Sequence, residues 1–207
     1  FERLGQTKTV LADGTTVHIA GEHEDHYDPD FFIYNDVVVT MPKGEITIYG
    51  YSLTDFAATD FHTATLVDDD IILIGSLGYP DERDPTQTQV LILDTKNWSI
   101  RKQLTTDSPG WISHHESSYD AGKPIIRITD IQKWTENHDL ADDFSTWELD
   151  LTTWKWRCTE VKNWSQYKLS PKNGEMSNLW EIRSDASMKE LDIDKYSFIE
   201  ENDIYSE

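Results

Sequence analysis

A single cysteine, Cys158, stands in 207 residues. No intrachain disulfide can form from it, and no cysteine-rich zinc site can be assembled. That suits a reducing compartment, and a cytoplasmic location is the expectation. Basic residues are also scarce: 18 Lys and Arg stand against 39 Asp and Glu, a net charge of −21. Binding to phosphate backbones depends on Lys and Arg displacing counterions, so no nucleic-acid partner is expected. The acidic balance favours cationic or metal partners and says nothing about the fold. No apolar run approaches the roughly 20 residues of a membrane helix, so no membrane partner is expected either. No signal-peptide pattern is visible. The chain starts at Phe1 rather than Met, as a trimmed chain does, which weakens that last observation. Signatures of catalysis are missing too. There is no phosphate loop and no glycine-rich dinucleotide fingerprint. Ser113 stands beside His114, but strand neighbours face opposite ways and form no relay.

What is abundant is sheet-forming sequence. Eight Trp, nine Tyr and many β-branched pairs point to strands. Residues 62–78 read as two strands about Asp68-Asp69-Asp70, and 88–104 as two more about Thr95-Lys96-Asn97. The same layout flanks this unit. Residues 10–21 turn at Asp13-Gly14 and 35–51 at Lys43-Gly44; 117–129 turn at Ala121-Gly122 and 145–160 at Thr152-Thr153. Gly21 and Gly75 read as equivalent positions (75 − 21 = 54), as do Asp94 and Asp150 (150 − 94 = 56). Four strands at a period of about 50 is the pattern of a propeller blade. The expectation is an all-β fold of three four-stranded repeats, at about 8–55, 60–105 and 112–160.

These units resemble kelch repeats of the galactose-oxidase-like β-propeller superfamily. The likeness is carried by His62 and Ala64 at a strand entry, by Ile74-Gly75 at a strand end, and by Tyr34-Asn35-Asp36-Val37 before a third strand. "VLILDTKNW" (90–98) and "TWELDLTTWKW" (146–156) match the aspartate–turn–tryptophan outer hairpin. The pattern also departs from the family. Its glycine pair reads Ala20-Gly21, Gly75-Ser76 and Thr129-Asp130, and Gln6 replaces the histidine seen at His62 and His114. Closed propellers have about 4–8 blades. Three units therefore imply a partial propeller, one completed by a second copy, or one closed by an irregular fourth unit. Residues 161–207 read as an acidic extension or a degenerate closing unit, with a short strand or helix within 169–192 and a patchy stripe of Leu179, Ile182 and Leu191. An open arc would leave two sheet faces uncovered.

The resemblance implies that the connections between second and third strands project from one face and serve binding. These are 21–34, 76–87 and 130–144, each with several carboxylates and an aromatic residue. The leading reading is a non-enzymatic module for a protein or peptide with a basic surface. Its candidate contacts are Tyr27, Asp28, Tyr79, Asp81, Arg83, Asp84, Trp134 and His138. Aromatics anchor interfaces and carboxylates steer a basic partner. Within it, Arg83 is expected to hold its own loop through an internal salt bridge. One alternative is a metal-dependent kelch-like enzyme using His23, Glu24, His26 and Asp28 to hold a divalent ion. Against it, Glu24-x-x-x-Asp28 is followed by Phe32 rather than a third ligand histidine. Galactose-oxidase-type copper chemistry is discounted, since Cys158 falls in an outer strand. The other alternative is a structural domain or fragment of a longer chain. For His62, His114 and His115 the resemblance implies a hydrogen bond between strands, and Trp98, Trp147, Trp154 and Trp156 are expected to pack.

Overall fold

The computed structural model describes residues 3–23 and 32–161, together with the backbone of 166–171 and 196–201. It is all-β, built from several small antiparallel sheets, none of them closed. The chain forms two compact units, Phe1–Lys162 and Asn163–Glu207.

In the first unit the strands run β1 (Thr7–Val10), β2 (Thr16–Ile19), β3 (Glu22–His23), β4 (Phe32–Ile33), β5 (Asp36–Thr40) and β6 (Ile46–Gly50). Then come β7 (Thr63–Val67), β8 (Asp70–Ile74), β9 (Val90–Asp94) and β10 (Ile100–Lys102). Next are β11 (Ile112–Ser113), β12 (Glu116–Asp120), β13 (Ile125–Thr129), β14 (Ile131–Trp134) and β15 (Leu140–Asp143), followed by β16 (Thr146–Asp150) and β17 (Lys155–Glu160). Three four-stranded meanders result, β1-β2-β5-β6, β7-β8-β9-β10 and β12-β13-β16-β17. Turn chemistry closes their hairpins. The Asp94 carboxylate accepts from the Lys96 and Asn97 amides at 2.7 and 3.3 Å, and Asp150 accepts from Thr152 and Thr153 at 2.7 and 3.0 Å. Trp98 and Trp154 follow with φ of 60° and 56°, so the outer hairpins of sheets two and three are built alike.

Strand register revises two equivalences read from the sequence. Ile19 pairs with Thr7, Ile74 with Thr63 and Thr129 with Glu116. The next residue in each case is Ala20, Gly75 or Asp130, and all three have left-handed φ of 52°, 75° and 53°. Gly75 therefore corresponds to Ala20 rather than Gly21. Likewise, the residue directly before each first strand is Gln6, His62 or His115, so His115 and not His114 matches His62. His114 aligns with Phe61 and Gly5, a second left-handed set at 52°, 46° and 65°. That set is linked in series, with Phe61 N–H donating to the Gly5 carbonyl and His114 N–H to the Phe61 carbonyl.

Apolar packing joins the sheets in order. One face of sheet two buries Ile71, Leu73, Leu91 and Leu93 against Val17, Ile19, Val37 and Val39 of sheet one. Its other face buries Ile72, Ile74 and Val90 against Ile126, Ile128, Leu149 and Trp156 of sheet three. Fully burying one such side chain is worth about 1.5–3 kcal/mol. First strands meet along the inner side, where the His62 ring bonds Thr7 Oγ1 at 2.8 Å and the His115 ring bonds Thr63 Oγ1 at 2.9 Å. The inter-strand hydrogen bond expected of these histidines is present at His62 and His115. The tryptophans pack as expected: Trp98 stacks on Tyr49 with ring centroids 5.6 Å apart, and Trp156 is buried.

The two outermost sheet faces differ. On sheet three, Arg127, Glu148 and Arg157 lie opposite one another, and Glu148 accepts from both arginines at 2.9 and 2.8 Å. Those arginines hold the Glu148 carboxyl below its ordinary pKa. On sheet one, Ile46 and Ile48 of the edge strand are 64% and 63% exposed. In the second unit, β18 (Gln166–Pro171) pairs antiparallel with β19 (Tyr196–Glu201). Leu179, Ile182 and Leu191 lie outside the described residues.

Gly75 is a position at a sheet-to-sheet joint where the packing has no room for a side chain. A Cβ there would sit 2.5 Å from the Ile112 carbonyl oxygen and 2.7 Å from the His115 ring, at a φ of +75°. Gly75→Ala is expected to cost about 3 kcal/mol or more, summing left-handed strain and the backbone clash. Urea unfolding reads the loss directly, and a cost below 1 kcal/mol would contradict this account.

Candidate functional site

Where the sequence suggested loops, the described parts of the three connections between second and third strands hold paired strands and a helical turn. The first carries β3 paired with β4. The second carries a 3-10 turn, Pro80–Glu82. The third carries β14 and β15, and β14 also pairs with β11 to make a separate three-stranded sheet.

Backbone bonds fix where each connection leaves its sheet. Gly21 N–H donates to the Thr59 carbonyl, and Ser76 N–H donates to the Ile112 carbonyl at the equivalent place one sheet later, both at 2.9 Å. Leu77 N–H then donates to the Asp60 carbonyl, and Trp134 N–H to the Trp111 carbonyl. The segments that lead from one sheet to the next thus share a face with these connections.

Side chains tie the connections to one another. Tyr79 Oη accepts from Ile33 N–H at 2.9 Å, joining the second connection to the first. Arg83 donates from Nε to the Leu77 carbonyl at 2.9 Å and from Nη2 to the Gly78 carbonyl at 3.0 Å. Its guanidinium lies 4.4 Å above the Trp134 ring, joining the second connection to the third. Trp111 adds a bond from its indole N–H to the Leu77 carbonyl. Arg83 therefore does hold its loop, but through carbonyls and an aromatic face. Among the described residues it makes no ion pair with a carboxylate, and the expected salt bridge is corrected to this arrangement. The fork of donors on Arg fits two adjacent carbonyls while its plane stacks on Trp134.

Beneath this clamp lies Asp60, fully buried, which the sequence reading missed. Its Oδ1 accepts from Gly78 N–H at 2.6 Å, and its Oδ2 has no hydrogen-bond partner among the described residues. Burial lowers the Arg83 pKa, and the Asp60 charge acts in the opposite direction. A buried carboxylate between Thr59 and Phe61 leaves no trace in local sequence, because its partner is a backbone amide 18 residues away.

The remaining predicted contacts fall as follows. Asp81 and Asp84 are exposed. Asp84 is partly structural, since its Oδ1 accepts from the Thr86 amide at 2.9 Å and hydroxyl at 2.7 Å, which lowers its pKa. Trp134 and Tyr79 are half-buried. His138 is exposed at the tip of the third hairpin, at φ 60°, with its ring edge-on to Trp134 at 6.1 Å. Exposed Glu82, Glu136, Asp139 and Asp142 add to the acidic character of the second and third connections.

Of the metal candidates, His23 is exposed on β3 opposite Phe32. Glu24, His26 and Asp28 lie outside the described residues, as does Tyr27. Among the described residues no group of three or more His, Cys, Asp or Glu is placed to hold a metal ion. No helix among them is long and apolar enough to cross a membrane.

Arg83→Ala removes two carbonyl bonds and the ring contact together. The expected loss is about 1–3 kcal/mol of stability, with faster proteolytic cleavage in the 130–144 hairpin. Equal cleavage rates in wild type and variant would show that the clamp holds nothing. Arg83→Lys should recover little, because an ammonium cannot fork to both carbonyls.

No protein-family model matches this chain, and no curated protein matches it.

Proposed function

We propose that the three meanders are successive blades of a kelch-like β-propeller arc, and that the face carrying the three connections docks a protein or peptide with a basic surface. Support for the blade reading comes from the repeat of one joining pattern: His62 to Thr7 and His115 to Thr63, with apolar packing outside each bond. A sandwich has no reason to repeat such a joint at a fixed period.

One observation carries the docking reading. Tyr79 and Arg83 hold the connections side by side, and the second and third connections carry six exposed carboxylates: Asp81, Glu82, Asp84, Glu136, Asp139 and Asp142. Each acidic group alone is an ordinary solvated side chain. Brought together on a fixed frame, they present a field that steers a cationic partner and sets its register. The half-buried Trp134 and Tyr79 offer ring edges in a preorganised setting, which lowers the ordering cost of binding. The reading needs no catalytic group and no cofactor.

The test is calorimetric titration with Lys- and Arg-rich peptides at two salt concentrations. Asp81→Lys, Glu82→Lys and Glu136→Lys spare Asp84, whose carboxylate is committed to Thr86. The triple variant should lose at least tenfold in affinity, and wild-type binding should weaken as salt rises. Unchanged affinity in the triple variant would sink the proposal.

A further inference from the structure

The joints between sheets rest on two buried imidazoles that have little else to meet. His62 is 5% exposed and His115 is 6% exposed. Each ring bonds a threonine hydroxyl on the neighbouring first strand, Thr7 on β1 for His62 and Thr63 on β7 for His115. In both rings Nδ1 is buried with no hydrogen bond among the described residues. Gly75 leaves no slack, since even a Cβ there would come within 2.7 Å of the His115 ring. Strand β7 therefore sits between two joints of one design.

We propose that His62 and His115 form an acid-sensitive latch, which holds β7 between β1 and β12 at neutral pH and loosens both joints as the pH falls. A neutral imidazole satisfies its joint with one bond to a threonine. A protonated ring carries a second N–H at a buried Nδ1 that makes no hydrogen bond among the described residues, and it places a charge where burial disfavours it. Most groups around each ring oppose its protonation. Besides burial, His62 feels the positive form of His115, which opposes its own protonation. Against His115 stand His114, which also opposes protonation, and the Ser113 backbone, which favours the charged ring without reaching hydrogen-bond geometry at Nδ1. The buried Asp60 carboxylate acts on His114 and Arg83 instead.

The direction of the effect follows from linkage. An unfolded histidine takes its proton near pH 6.5. In the folded chain burial pushes His62 down to about 3 and His115 down to about 4. Above pH 6.5 both rings are neutral in either state and the latch is closed. Below it the unfolded chain gains protons that the folded chain refuses, so stability falls as pH drops from 6.5 towards those lower values. The carboxylates of lowered pKa, Asp13, Asp84, Asp150 and Glu148, act in a more acidic range and so do not mask it.

Sheet one supplies the control, because Gln6 occupies the place of His62 and His115 directly before its first strand. Glutamine offers a neutral donor and no titration. Urea unfolding of wild type, His62→Gln, His115→Gln and the double variant should be compared at pH 7.5 and 5.5. Between these values the wild-type folding constant should drop by about tenfold per histidine, or about a hundredfold for both. The double variant should lose that part of the pH dependence, and its Thr63–Val67 amides should stay protected at pH 5.5 while those of wild type open. Equal pH dependence in wild type and double variant overturns the proposal. If the variants fail to fold, ring carbon shifts of the folded wild type decide it: both rings should remain neutral at pH 5.5, and either one titrating near 6.5 overturns the latch.

Discussion

Sheet two is apolar on both faces, and the placement of every other described element in the first unit follows from that. Ile71, Leu73, Leu91 and Leu93 point one way, and Ile72, Ile74 and Val90 point the other. A strand buried on both sides cannot expose either face without losing the main favourable contribution to folding. Sheets one and three must therefore flank it, in chain order, with their own apolar faces inward. Once they do, the first strands come together on one side, and the connections between second and third strands come together at one end.

The loop face inherits its geometry from this arrangement. Its acidic side chains sit on turns and short hairpins whose roots are pinned by backbone bonds to the neighbouring sheet's entry segment. The Arg83–Trp134 contact and the Tyr79–Ile33 bond then lock the pieces laterally. Asp60 completes the frame from below by receiving the Gly78 amide. Residues first read as partner contacts thus have structural duties as well: Tyr79, Arg83, Asp84 and Trp134 all spend part of their bonding capacity on the frame. The exposed carboxylates Asp81, Glu82, Glu136, Asp139 and Asp142 and the exposed His138 carry none of these frame bonds.

The two outer sheet faces of the first unit differ in chemistry. Sheet three closes its row with Arg127, Glu148 and Arg157, a charged surface suited to water. Sheet one has Ile46 where the matching residues of the other sheets, Ile100 and Trp156, pack into the cores between sheets. One outer face is therefore charged, and the other carries exposed isoleucines.

The twelve meander strands, their hairpin turns and the repeat of about 50 residues were legible in the sequence, because alternation, Asp-Gly and Asp-x-x-x-Trp turns act over a few residues. Those local rules determined that the chain is all-β, and they marked all six meander hairpins. They misplaced the glycine and histidine equivalences by one residue, since only cross-strand register distinguishes Gly75 from Ser76 or His114 from His115. Hairpins within the connections were hidden as well, because β14 is held partly by β11, some 20 residues earlier in the chain. Arg83's partners and the burial of Asp60 were likewise decided only in three dimensions. A side chain's partner across a sheet boundary depends on how apolar faces dock, and no local pattern of residues encodes that docking.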